Sequence, residues 1–301
     1  NHVYFYLTII IVLKIVARED INDAKWNSCV EQSQIQNPLI YSWSMDATTS
    51  KWCAVVNDDY SFIFPIPFEQ QLNVKRARQQ AFSRQVDYVG SQEDFYTALE
   101  LLKKEFSEFD IRVSLTKGNF ERQCFQSIKF ESDYKYSTNA KRLIKKANEV
   151  ISYEVSDDLD VLVSLYADNS FLKFKQPPSN IEKIKNSMKA YLENGKGYVL
   201  IAKEGEAAIG AAFFIEDKGT TYYLLGDSNE DHKKKGVIYG LMDFGIQKAQ
   251  SKGMLNFDFG GSNIESVADF YKKFGAVDIY YTRVHWDKRP LWFKIIQKIK
   301  R

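Results

Sequence analysis

Along the chain the spacing of apolar residues switches between short solid runs and repeats of three and four, and each switch marks a predicted strand or helix. Positions 9–17 read as a strand, and "INDAKWNSCVEQS" follows as a helix with a stripe of Ala24, Trp26, Cys29 and Val30. Two apolar runs, 52–56 and 62–68, flank Asn57-Asp58-Asp59, which is hairpin chemistry. Pro65 and Pro67 assign the end of the second run to a sheet edge or a bulge. "SQEDFYTALELLKKEFSEF" opens with Ser91 three residues before Asp94 and carries Phe95, Leu99, Leu102 and Phe106 at helical spacing. The strand "IRVSL" closes this series.

A second series begins near residue 125. It holds a strand, a cap at 137–139 and a helix whose stripe is Ala140, Leu143, Ile144 and Ala147. The other face of that helix is basic, with Lys141, Arg142, Lys145 and Lys146. It is either a solvated face or a surface for tRNA or a nucleotide diphosphate. The helices "LDVLVSLYADNSF" and "NIEKIKNSMKAYLENG" follow, separated by Pro177-Pro178. After them come the strands "GYVLIAKEG", "AAIGAAFFIEDKG" and "TTYYLLGDS", the helix "VIYGLMDFGIQKAQSKG", the strand "NFDFGG", the helix "IESVADFYKKFG" and the strand "VDIYYTRVHW".

Length turns this repetition into a domain count, because 301 residues exceed one ordinary domain and imply two of about 150. An apolar fraction of 45 % supplies two cores. The net charge of +2 argues against a polyanion bound by the whole surface, so charge matters only in local clusters. Cys29, Cys53 and Cys124 lie far apart and no histidine stands at ligand spacing, which excludes a disulfide framework and a zinc site and fits a reducing cytoplasm. The opening apolar run 3–13 is interrupted by Lys14 and falls short of the ~20 residues that span a bilayer. It reads as a buried strand with an extended leader, with a membrane-associated segment or a cleaved signal as the alternatives. The tail "RPLWFKIIQKIKR" interleaves apolar and basic residues, as does a helix lying on a membrane surface or one packed on its own domain.

The element order from 155 to 288 resembles the GNAT acyltransferase fold. In that fold two strands part around an acyl-CoA whose pyrophosphate rests on a helix N-terminus, where unpaired N–H groups and the helix dipole favour anions. The matching loop here is "NEDHKKKGVIYGLM". Lys233 takes the place of the family's Gln or Arg, Gly236 and Leu241 fit, and Ile238 replaces the second small residue. The resemblance therefore implies donor contacts from Lys233, Lys234, Lys235, Gly236, Val237, Ile238 and Asn263. "ADFYKKFGA" carries Ala268, Phe270, Tyr271 and Gly275 as GNAT enzymes do, and implies that Tyr271 protonates the leaving thiolate.

"NFDFGGSN" and the helix "YSTNAKRLIKKANEV" resemble the FemAB peptidyltransferases, which are two GNAT-like domains in tandem and use aminoacyl-tRNA. Tyr271 stands where that family has a catalytic lysine, and Lys272 follows it. The fold expected is thus α/β (α+β), with two GNAT-like domains, 1–134 and 135–301, each a mixed, mostly antiparallel sheet flanked by helices. The second is expected to hold the active site. Asp227 at a strand end is an acceptor-activating carboxylate or a turn residue. Asp258 within an apolar strand is a base or substrate clamp, or a hydrogen-bonded structural group. Gly260 and Gly261 permit close backbone approach to a substrate or make the turn alone. Tyr271 is a catalytic acid or core, and with Lys272 it completes the set. His232 and His285 stand isolated.

The function expected is N-acyl transfer from acetyl-CoA or another acyl-CoA to a small-molecule or peptide amine, without a metal. Aminoacyl-tRNA is the alternative donor, and a non-catalytic binding protein with a degenerate loop is the alternative class. The expected location is the cytoplasm, with the tail as a peripheral membrane contact.

Overall fold

A computed structural model describes residues 12–35, 37–80, 83–115, 120–171, 179–261 and 264–299. Most of the opening apolar run and Pro177-Pro178 lie outside the described residues. No helix among the described residues is long and apolar enough to cross a membrane.

The first half runs β1 (Lys14–Ala17), α1 (Asp23–Gln32), α2 (Ser42–Thr48), β2 (Trp52–Val56), β3 (Ile63–Gln71), β4 (Val74–Arg78), α3 (Gln92–Glu105), β5 (Glu108–Val113) and β6 (Glu121–Lys129). The joining helix is α4 (Thr138–Asn148). The second half repeats the order with β7 (Ser152–Ser156), α5 (Leu159–Tyr166), α6 (Ser179–Glu193), β8 (Gly197–Glu204), β9 (Ala207–Asp217), β10 (Thr220–Ser228), α7 (Val237–Ser251), β11 (Asn256–Asp258), α8 (Glu265–Lys272) and β12 (Val277–Asp287). α9 (Leu291–Ile299) follows. Each half is therefore β-α-α-β-β-β-α-β and a final strand, with α8 added before the last strand of the second.

All strands join in one mixed sheet of order β1-β2-β3-β4-β5-β12-β6-β11-β10-β9-β8-β7. The order shows an exchange. β6, the last strand of the first half, lies beside β11, with Ser127 opposite Asp258. β12, the last strand of the second, lies beside β5, with Thr282 opposite Val113. The two exchanged strands also pair with each other, from Val277 opposite Ser127 to Arg283 opposite Glu121. In each half the fourth and fifth strands are the parallel pair, β4 with β5 and β10 with β11.

Three apolar clusters pack on this sheet. One fills the first half around Trp26, Phe64, Phe95 and Phe109. The second half is layered, with α4, α7 and α8 on the face of Phe214, Phe257 and Phe259, and α5 and α6 on the face of Phe213 and Tyr222. α3 starts at Ser91, whose hydroxyl accepts from the Asp94 N–H at 3.0 Å, and α4 at Ser137, whose hydroxyl accepts from the Ala140 N–H at 3.2 Å. Pro65 and Pro67 lie opposite Ala54 and Trp52 of β2, while β4 pairs with β3 only from Phe68 onward. The missing N–H groups thus fall where β3 has a single neighbouring strand.

Side chains sew the halves together as well. Lys218, in the left-handed region at φ 44°, donates to the carbonyls of Val30, Ser33 and Ile35 past the C-terminus of α1. Its ammonium there meets the negative end of that helix dipole. The Tyr191 hydroxyl, buried, donates to the Pro38 carbonyl at 2.9 Å and bonds Ser44. α9 is rooted by Phe293, buried beneath the Arg76 guanidinium, while Leu291, Trp292, Ile295 and Ile299 stay exposed.

Residues 135–301 produced alone lack β6, so β11 loses one neighbour and β12 loses both. We expect this fragment to aggregate or to melt without cooperativity by circular dichroism, and co-expression with 1–134 to restore a single sharp transition. A sharp transition for the fragment alone would show that the exchange is dispensable.

Candidate active site

β10 and β11 run side by side only from Thr220 opposite Asn256 to Tyr222 opposite Asp258, and then part. Two local features open the gap. β10 shifts its register against β9 between Tyr223 and Leu225, a β-bulge that turns its backbone at Leu224. β11 ends in Gly260 and Gly261, at φ 78° and 81°. A Cβ at 260 would stand 2.7 Å from the Tyr223 carbonyl oxygen, and one at 261 would stand 2.6 Å from Phe125 Cβ. Only glycine fits both the torsion and the space.

Tyr271 lies behind the gap. It is 7 % exposed, stacks on Phe259 with ring centroids 4.9 Å apart and meets Tyr223 edge-on at 6.3 Å. Burial raises the Tyr271 phenol above its ordinary range, and the Asp258 charge adds to the effect. Tyr223 is raised well above its ordinary value by burial, then by Tyr271 and Asp227. Both phenols are consequently protonated at neutral pH. Asp227 is 4 % exposed at the end of β10 and accepts from the Ser228 N–H at 2.8 Å.

The N-terminus of α7 lies beside the far end of β10, where a Cβ on Gly210, opposite Ser228, would stand 2.5 Å from the Val237 side chain. Gly236, at φ 83°, turns the chain from the helical turn Glu230–Lys235 into α7. The N–H groups of Val237, Ile238 and Tyr239 precede the first intrahelical bond, from the Gly240 N–H to the Gly236 carbonyl at 3.0 Å. Val237 is buried, and Ile238 packs its side chain against the core beneath α7. The lysines are partly spoken for: Lys233 pairs with Glu230 at 2.5 Å, and Lys235 with Glu204 at 2.5 Å. His232 also faces Glu204, at 3.2 Å, and His285 is exposed on β12. α4 lies against this turn. A Cβ on Gly236 would stand 2.7 Å from the Leu143 carbonyl, and the Lys146 ammonium donates to the Lys234 carbonyl at 2.9 Å. The basic face of α4 and the three-lysine turn are thereby one surface. Asn263 lies outside the described residues.

Asp258 faces the opposite side of the sheet. Both its oxygens lie 2.7 Å from the Arg84 Nη1, and Oδ1 also accepts from the Gly260 N–H at 2.8 Å. The pair is buried, and the Arg84 guanidinium lies 3.6 Å from the Phe125 ring centroid. Asp258 is held as a structural carboxylate that fixes the start of the gap to the 83–89 segment of the first half. Lys272 points away from Tyr271 in role, bound at 2.8 Å to Asp278 of β12, which raises its pKa.

The structure thus brings together Tyr271, Gly260, Gly261, Asp258 and the β10 bulge, with Asp227 at the far end of β10. Lys272 is engaged elsewhere. Arg84 and Tyr223 belong to the site and were missed by sequence reading. Arg84 is a lone cation in a polar stretch with no periodic pattern, and Tyr223 is one of two adjacent tyrosines that an ordinary strand would accommodate.

No protein-family model matches this sequence, and no curated protein matches it. Solved structures do. FemX shares the fold at a TM-score of 0.66 and 11 % identity, over 94 % of this chain and 99 % of that one. L-PGS from Bacillus licheniformis matches at 0.53 and 12 %, over 91 % and 95 %. A tandem GNAT protein from the clavulanic acid biosynthesis pathway matches at 0.50 and 10 %, over 93 % and 99 %. The chain therefore has a tandem GNAT-like fold, shared with FemX.

Removing one member of a buried ion pair leaves an uncompensated charge and costs about 3–5 kcal/mol. Arg84→Ala is expected to lose stability on that order in urea denaturation, and the double variant Arg84→Met/Asp258→Leu to regain most of it. Equal destabilisation in single and double variants would show that packing, not charge, sets the cost.

Proposed function

We propose that the protein is an N-acyltransferase working at the parting of β10 and β11. The observation that carries the reading is the conjunction of a bulged β10, a glycine-ended β11 and a buried, protonated Tyr271 at one gap. An amine attacks the carbonyl carbon of a bound acyl donor. The oxyanion forms beside backbone N–H groups that the Leu224 bulge releases from the ladder. As the tetrahedral intermediate collapses, the acyl–sulfur or acyl–oxygen bond breaks and Tyr271 gives its proton to the leaving group. Asp227, buried at the end of β10, takes up the proton lost by the amine through water. Since burial lifts the phenol above its usual range, Tyr271 serves as an acid and not as a base.

For the donor, acyl-CoA fits the α7 turn through the N–H groups of Val237, Ile238 and Tyr239, with Lys234 as the lysine without an acidic partner among the described residues. One observation favours aminoacyl-tRNA as a second reading. Lys141, Arg142, Lys145 and Lys146 join the lysine turn into one exposed basic surface, which suits a nucleic-acid backbone.

Calorimetric titration separates the donors. Micromolar binding of acetyl-CoA supports the first, and its absence together with a salt-dependent tRNA gel shift, weakened by Lys141→Glu/Lys145→Glu, supports the second. With the donor identified, Tyr271→Phe is expected to lower kcat by about 100-fold, the low end for a general acid, while donor affinity holds. Full turnover in that variant would remove Tyr271 from the chemistry.

A further inference from the structure

α9 starts after Pro290, whose carbonyl accepts from the Phe293 and Lys294 N–H groups at 3.1 and 3.2 Å. Its anchors share one side. Phe293 is fully buried, its ring centroid 5.4 Å from the Arg76 guanidinium. Gln297, one turn on, accepts from Arg289 Nη1 at 2.8 Å, and Arg289 is itself held by Glu108 of β5 at 3.2 Å. At about 100° per residue, Phe293 and Gln297 project within about 40° of each other. Leu291, Ile295, Ile299 and Trp292 fall in an arc of about 100° on the opposite side. These four are between 48 and 79 % exposed, and no other helix or strand among the described residues leaves more than two large apolar side chains exposed.

An amphipathic helix ordinarily turns its wider apolar face to the core, whereas α9 keeps that face outward. Charge decides what covers it. Residues 288–301 hold six basic residues and no acidic one. Asp287 engages Arg289 at 2.9 Å and Lys294 at 3.1 Å. Lys298, which borders the stripe, is exposed and forms no ion pair among the described residues. A second copy docking through the same stripe would bring two such cationic segments together, and their repulsion opposes a two-fold contact. An anionic lipid surface meets both features at once, because apolar side chains enter the acyl boundary while lysine stems reach back to the headgroups. Nine residues of helix measure ~13 Å, so α9 can lie along such a surface and cannot cross it.

We infer that α9 docks the protein on an anionic lipid surface. Leu291, Ile295 and Ile299 insert into it, and Lys298 lies among the headgroups. Trp292, at the edge of the stripe, sits at headgroup depth, where an indole is favoured. Phe293 and Gln297 keep the helix fixed to the sheet from behind, so the whole protein is held at the surface. This docking does not depend on the acyl-transfer reading.

The test is co-sedimentation of the full chain with vesicles of phosphatidylcholine alone and of phosphatidylcholine mixed with phosphatidylserine, at low and high salt. Binding is expected to the mixed vesicles only, and to weaken as salt rises. It is expected to shift tryptophan fluorescence to the blue, since Trp292 is the one exposed tryptophan among the described residues. Ile295→Ser/Ile299→Ser is expected to weaken binding by about tenfold or more while melting at the wild-type temperature, because both side chains are exposed. Lys298→Gln is expected to weaken it about fivefold. The inference is overturned if the mixed vesicles bind no protein, if neutral vesicles bind as much, or if the double isoleucine variant binds as the wild type does. It is equally overturned if that variant melts lower, since the stripe would then serve the fold. Sedimentation equilibrium showing self-association that the variant abolishes would also overturn it, by assigning the stripe to a second copy.

Discussion

The pairing of the two exchanged strands is the interaction on which the rest of the molecule depends. A buried strand must satisfy its backbone N–H and C=O groups on both sides. β6 and β12 do so only by crossing into the other half and then pairing with each other. The result is one continuous sheet in place of two sheets in contact. Inter-half groups such as Arg84–Asp258 and the Lys218 cap then act across a junction whose register the backbone has already set. A buried ion pair is by itself weak support for a fold. Here its use is positional, since it holds the residue at which β10 and β11 separate.

On the proposed acyl-transfer reading, that separation is where backbone geometry becomes chemistry. A regular parallel pair would spend its N–H groups on the ladder and leave none for a reacting carbonyl. The bulge in β10 and the left-handed glycines of β11 interrupt the ladder at one level, and Tyr223, Phe259 and Tyr271 pack their rings together beside it. The same low-dielectric surroundings keep both phenols protonated. The gap and the two protonated phenols therefore arise from one packing arrangement.

Much of this was legible in the sequence because periodicity is a local property. The helices capped by Ser91 and Ser137, the three-stranded meander before α7, and the order of the last five elements could all be read from spacing. α2 and β4 were not read: α2 is short and polar at several positions, and β4, "VKRAR", shows no apolar alternation because its arginines are held by Glu69 and Glu108. The partner of Asp258 was equally invisible, since Arg84 lies 174 residues away and nothing local marks the pair. The strand exchange leaves no trace in composition either. Neither β6 nor β12 shows a clean two-residue alternation of burial, and which neighbour each takes is decided in three dimensions. At the α7 turn, the resemblance of the loop to the GNAT phosphate loop singled out Gly236 but not what covers it, the α4 backbone at Leu143.

Chain order gives the exchange a further meaning, in time. β12 lies between β5 and β6, yet it is synthesised last of the three. From the end of β6 at Lys129 to the end of β12 at Asp287 is 287 − 129 = 158 residues. At typical elongation rates this takes roughly 8 to 32 s. Throughout that interval the nascent first half carries a β5 edge with no closing strand, the kind of edge that recruits other chains. The growing polypeptide thus passes through a stage at which its main hazard is another copy of itself, and the final strand ends it.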